Sequence, residues 1–216
     1  MAETRVWDPW LRLTHLGLIV GVVGAYGTAE WGWLDMDAHF WFGYVVLTLV
    51  LFRVLWGFFG TTHARFRSFL RGPAALLREV KGVRTAEETL GHSATGGWAT
   101  VVLLAALLFQ TVTGLFTNDE IQWFGPLSER VSYDLAESLS SLHVRVQNLL
   151  LALIGLHVLA VLGYLLVKKR NLIKPMITGN KPDVGTDYAP VPAWRAPLLL
   201  ALSAGTVWAL IRFWPA

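Results

Sequence analysis

"LHVRVQNLLLALIGLH", residues 142–157, sets two histidines, His143 and His157, in a run that is otherwise almost wholly apolar. If the run is helical, the 14 residues between them make about 3.9 turns, so the imidazoles point within about 40° of one another and lie about 21 Å apart along the axis. They share a face at two depths. No single metal ion can be bound by both, but two separate cofactors can. Titratable side chains are expensive in so apolar a segment and read as functional by default.

The rest of the chain shows what that segment is built for. Of the 216 residues 54% are hydrophobic and only 15% are charged, well below the quarter or so that charged residues make up in ordinary soluble domains. The composition is that of an integral membrane protein. The formal net charge is +3, but the basic residues fall between apolar segments and form no solvated patch, which excludes a nucleic-acid partner and makes them topology signals. There is no cysteine. That excludes disulfides, thiolate metal sites, iron–sulfur clusters and a covalently attached c-type haem.

Five segments are long and apolar enough to span about 30 Å of hydrocarbon. The first runs from Trp10 to Gly27, with Asp8 and Pro9 as N-cap and first-turn residue. No small-residue cleavage site follows it, so it is expected to be retained. The second is expected over Ala38–Phe59 after a cap at Asp37, the third over Gly96–Thr117 and the fourth over Leu139–Val167. The fifth, "APLLLALSAGTVWALIRFW" at 196–214, is the shortest. The fold class is therefore all-α, a membrane helical bundle with a four-helix core (1–181) followed by a linker and a C-terminal transmembrane helix (182–216).

Charge orients the spans. With the N-terminus in the cytoplasm, the inner segments 1–12, 60–93 and 168–195 hold 14 of the 18 lysines and arginines, whereas the outer segments 28–38 and 117–138 hold only Arg130 beside eight acids. This is a strong positive-inside bias, and it orients a multi-pass protein in contact with lipid with its N-terminus in the cytoplasm. Trp7, Trp10, Trp31, Trp33, Trp56, Trp123, Trp194 and Trp214 fall near span ends, as an interfacial aromatic belt requires.

This topology, derived without reference to histidine, matches the histidines by depth. His15 lies near the inner end of the first span and His157 in the inner half of the fourth, while His39 opens the second span at the outer side, level with His143. The cofactor that bridges two helices through opposed neutral imidazoles, in lipid and without cysteine, is haem b. The expectation is two haem b, an inner one on His15 and His157 and an outer one on His39 and His143. A transition-metal pair would normally need carboxylates as well, and the predicted spans carry none near these positions. Weaker candidates surround them. Gly43, one turn after His39, allows close approach to a porphyrin. Arg53, deep in "LVLFRVLWGF", and Arg145 suit haem propionates. His63 reads as a structural loop residue. His92, in "LGHSATGG", is either a donor to a bound quinone carbonyl or a solvated histidine ahead of a helix cap, and the residues alone favour the latter.

The stretches "RVWDPWLRLTHLGL", "HFWFGYVVLTLVLFRVLWGFFGTTHARFRSFLRGP", "GHSATGGW", "LHVRVQNLLLALIGLHVLAVLGY" and "NLIKPMITGNK" together resemble the bacterial cytochrome b561 family and the related b-type cytochrome subunits of nickel–iron hydrogenases. The resemblance implies a four-helix, two-haem electron carrier working between a quinone pool and a partner, with His15, His39, His143 and His157 as axial ligands. Two departures stand out. Val144 follows His143 where members often carry Glu, and "GHSATGG" replaces the "GHNPLGG" common in relatives; both fall near expected quinone or partner contacts.

Three functional readings follow. The favoured one is a transmembrane conduit that exchanges electrons between a periplasmic partner, a c-type cytochrome or a dehydrogenase subunit, and the quinone pool. A stand-alone superoxide:quinone oxidoreductase ranks below it, because the outer loops are acidic where an anionic donor needs positive charge. The third is the membrane anchor of a hydrogenase, with the fifth helix available for docking.

Overall fold

A computed structural model describes residues 3–81, 93–119, 121–182 and 189–213. In chain order these form β1 (Glu3–Arg5), α1 (Pro9–Trp31), α2 (Met36–Phe59), α3 (Phe66–Phe69), α4 (Pro73–Val80), α5 (Ala94–Gly114), α6 (Tyr133–Leu166), α7 (Ile173–Thr178), β2 (Asn180–Pro182) and α8 (Arg195–Phe213). Single 3₁₀ turns occupy Thr62–Ala64 and Ser128–Arg130. Five helices, α1, α2, α5, α6 and α8, are long and apolar enough to cross a membrane. They run alternately up and down, so the bundle has a basic end, carrying the N-terminus, and an acidic end, carrying the α1–α2 turn and the α5–α6 connection.

The helix starts follow local chemistry. Asp8 caps α1 by accepting from the Leu11 N–H at 2.9 Å, and Pro9 opens the helix. Gly32, at φ +61°, ends it in the left-handed region that suits glycine. The second helix begins earlier than the sequence suggests. Asp35, not Asp37, accepts from the Ala38 N–H at 3.0 Å, and Asp37 sits in the first turn, where its charge complements the helix dipole. Ser93 caps α5, which ends at Gly114 rather than Thr117.

α6 departs most from expectation. Ser132 caps it and the helix begins at Tyr133, six residues before Leu139, because the polar stretch 133–141 continues as helix beyond the apolar run. Its 34 residues measure about 51 Å, well beyond the hydrocarbon thickness. The acidic-end turns of α6 therefore lie outside the bilayer core.

Small residues draw α1 onto α2. A Cβ added at Gly17, Gly21 or Gly24 would lie 2.7, 2.6 or 2.5 Å from Leu49, Val46 or Phe42 respectively, so only glycine lets the two backbones approach so closely. α2 also packs on α5 and α8, and α5 on α6. Three buried clusters stack through the bundle: Val6, Trp7, Phe52 and Trp56 at the basic end, Val46, Val50 and Leu104 mid-height, and Leu47, Leu115, Leu127 and Val207 toward the acidic end. α8 contributes to the first and last of these. Trp7 and Trp56 are thus core residues rather than interfacial ones, at 6% and 1% exposure.

The basic end is knotted by Asp8. Besides capping α1, its carboxylate accepts from Trp56 Nε1 at 3.0 Å and Thr61 Oγ1 at 2.7 Å, so a buried charge is fully hydrogen-bonded. Antiparallel pairing of β1 with β2, the Val6 and Trp7 N–H groups donating to the Gly179 carbonyl at 2.9 and 3.0 Å, and Arg12 donating to the Thr178 carbonyl at 3.2 Å tie the N-terminal segment to the chain beyond α6.

Candidate functional site

α6 packs extensively on α5 but makes no comparable contact with α1 or α2. It meets them through Gln147 Nε2, which donates to Glu30 Oε1 at 2.8 Å, through Leu150 in the mid-height cluster, and through histidines. The rings of His15 on α1 and His157 on α6 have centroids 6.4 Å apart, with planes at 62°. Those of His39 on α2 and His143 on α6 are 6.3 Å apart, at 82°. The first pair belongs to the basic end and the second to the acidic end.

The spacing has a chemical meaning. A metal–imidazole bond is about 2 Å long and a ring nitrogen lies about 1.1 Å from its centroid, so a metal held between two opposed imidazoles puts the centroids about 6.3 Å apart. A direct N–H···N hydrogen bond of about 2.9 Å would bring them about 1 Å closer, and none joins either pair. A Cβ built at Gly43, one turn from His39, would meet nothing within 4 Å. The spacing of each pair therefore suits a metal-centred group held between its two imidazoles. Among the described residues no three His, Cys, Asp or Glu side chains converge as a metal-ligand set.

At the acidic end the hydrogen bonds also fix the ring tautomers. His39 Nδ1 lies 2.8 Å from the Ala25 carbonyl oxygen, and His143 Nδ1 lies 2.9 Å from the Gln110 carbonyl oxygen. A carbonyl oxygen only accepts, so both Nδ1 atoms carry a proton, which in the neutral ring leaves Nε2 the lone pair a metal requires. Thr113 Oγ1 also approaches His143 Nδ1, at 3.2 Å. Gly114 backs the same ring; a Cβ there would come within 2.8 Å of His143 Cε1. At the basic end no side-chain hydrogen bond reaches His15 or His157 among the described residues.

The weaker candidates fall out differently. Arg53 is 5% exposed, donates from Nη1 to the Ala64 carbonyl at 3.3 Å, and lies 5.5 and 6.0 Å from the Phe66 and Phe69 ring centroids. These contacts seat it in the loop after α2. Arg145 is exposed on an α6 face with Ser138, Ser141 and Leu142, and two residues of helix turn it about 160° away from His143. The structure does not bring it to the histidine pair. His92 lies outside the described residues. His63 is half-buried, with Nε2 lacking a hydrogen-bond partner; burial, and then the charge of Lys181, hold its pKa below the ordinary 6.5.

Sequence reading missed Gln110, whose side-chain Oε1 is buried without a partner, Thr113 and the Ala25 carbonyl beside the acidic-end pair, and Glu79 on α4. Glu79 is 8% exposed and accepts from the Thr95 N–H at 2.9 Å and Tyr164 Oη at 3.3 Å, tying α4 to α5 and α6. An acid in a short amphipathic segment was the only available signal for Glu79, and main-chain acceptors leave no signal at all.

A bundle of membrane-length helices with two opposed histidine pairs at separate depths defines a membrane cytochrome of the b type. Residues 6–179 match the family model of prokaryotic cytochrome b561, and the chain belongs to that family. It is accordingly a multi-pass membrane protein that binds b-type haem and transfers electrons. The match spans α1 to α7, includes all four histidines and stops before α8. No curated protein and no solved structure matches the chain.

Proposed function

We propose that this protein holds two haem b, on His15 and His157 at the basic end and on His39 and His143 at the acidic end, and carries electrons across the bacterial inner membrane between a periplasmic redox partner and the quinone pool. The observation that carries this reading is the repeated spacing of 6.4 and 6.3 Å between opposed imidazoles on different helices. Bound there, each haem supplies a one-electron couple. The polypeptide supplies the rest. α6 sets the vertical separation of the two sites, α1 and α2 present the opposing ligands, and the surrounding helices keep water from the rings.

The charge pattern supports an orientation with the basic end in the cytoplasm. The acidic end then faces the periplasm, where Glu30, Asp35, Asp37, Asp119, Glu129, Asp134 and Glu137 are all exposed. This favours a basic partner, such as a lysine-rich cytochrome c, over an anionic small donor. The test is electron exchange between the reconstituted protein and a reduced basic cytochrome added at the acidic face, with a quinone analogue in the bilayer. Reduction should be fast at low ionic strength and fall steeply with added salt. A salt-insensitive rate would overturn the partner assignment, and equally rapid quinone reduction by superoxide with the single chain would favour the oxidoreductase.

A further inference from the structure

The two histidine pairs share a spacing but not a hydrogen-bonding environment, and Thr113 makes much of the difference. Its side chain is 2% exposed. Its hydroxyl proton is committed to its own helix, with the Phe109 and Gln110 carbonyl oxygens at 2.9 and 3.0 Å. A lone pair is left for the His143 Nδ1–H at 3.2 Å, which the Gln110 carbonyl also accepts at 2.9 Å. One N–H is therefore shared between two acceptors in a buried site. Across the pair, the His39 Nδ1–H is held by the Ala25 carbonyl at 2.8 Å.

We propose that Thr113 is a positioning residue for the acidic-end centre, and that this hydrogen bonding makes the acidic-end centre the lower-potential one of the two. The inference rests on the haem-ligand reading above. Acceptors on Nδ1–H draw the proton outward and enrich Nε2 in electron density, which favours the more oxidised state of a bound iron. The basic-end rings have no such acceptors among the described residues. Fixed charge acts in the same sense. Exposed Glu30, Asp35 and Asp37 lie toward the acidic-end pair, whereas Arg12, one turn before His15, and buried Arg53 lie toward the other. Negative charge stabilises an oxidised centre and positive charge a reduced one.

The experiment is an equilibrium redox titration of the purified holoprotein, with low-temperature EPR of its ferric form, on wild type, Thr113→Val, Thr113→Ser and His39→Ala. Two components are expected in the wild type, the lower of which is missing in His39→Ala. Thr113→Val should shift the lower midpoint upward and displace one of the two low-spin signals, while the higher midpoint stays in place. Thr113→Ser, which keeps the hydroxyl, should restore both. If valine at this packed position prevents haem loading, Thr113→Ala deletes the same hydroxyl with less bulk. An unmoved lower midpoint in the loaded variant, or loss of the higher component in His39→Ala, would overturn the inference. A wild type without two haems would overturn the ligand reading instead.

Discussion

The basic-end and acidic-end histidine pairs present the same distance to a ligand and get there by different means. His39 and His143 are each anchored through Nδ1 to a main-chain carbonyl, so their orientation is fixed by local bonds. Among the described residues His15 and His157 have no such anchor, and they depend on the packing of the helices that carry them. Below them lies a buried hydrogen-bonded knot, where Asp8 joins α1, Trp56 and Thr61. One histidine pair is thus held by hydrogen bonds to its rings, and the other by the packing beneath it.

Histidine replacement probes this contrast with the largest effect. Ala at position 15 or 157 should remove the basic-end centre, and Ala at 39 or 143 the acidic-end one, each halving the absorbance of the reduced-minus-oxidised spectrum. The two members of a pair should give the same residual spectrum. Asp8→Ala comes next. It deletes a cap and two side-chain hydrogen bonds to a buried carboxylate, a loss of about 3–5 kcal/mol, measurable by denaturation in detergent. It should broaden the basic-end component of a redox titration and leave the acidic-end one sharp. If both components broaden equally, the two ends are not held independently.

Gly114→Ala should do the converse. The new methyl, 2.8 Å from His143 Cε1, must push the ring aside, lowering occupancy of the acidic-end centre alone, as pigment quantitation would show.

The smallest effect is a pH dependence that differs between the ends. Burial keeps folded His63 neutral below its ordinary pKa of 6.5. The unfolded chain then binds the extra proton first, so stability at the basic end declines as pH falls below 6.5. Asp119 has the opposite chemistry and a lower window. The Trp123, Gln122 and Ile121 N–H groups, at 2.8, 3.0 and 3.1 Å, hold its carboxyl below 3.8. Its contribution is complete above pH 3.8 and is lost as pH falls through the lowered folded value. Hydrogen exchange should therefore show the chain around His63 opening at milder acidity than the Ile121, Gln122 and Trp123 N–H groups bonded to Asp119, and His63→Gln should abolish the earlier opening.

Much of this was legible in the sequence because a membrane leaves few options. Apolar runs set the five spans, Asp8–Pro9 set the start of α1, and arginine distribution supplied the depth argument that pairs His15 with His157 and His39 with His143. Hydropathy was blind to α6 between Tyr133 and Ser138, where polar residues remain helical outside the hydrocarbon. It also assigned Trp7 and Trp56 to an interface when their neighbours bury them. The β1–β2 pairing has no local signal, since three residues at each end of a 180-residue stretch cannot announce a partner. The Ala25 and Gln110 carbonyls were invisible for a related reason. Every residue has one, and only the tertiary packing decides which of them faces an imidazole.

The most direct measurement is pyridine haemochrome quantitation per mole of purified chain, for the wild type and each of the four His→Ala variants. Two haem b in the wild type and one in every single variant is the predicted outcome. A wild type with one haem or none, or a variant that keeps both, would contradict the assignment of these histidines to two separate centres.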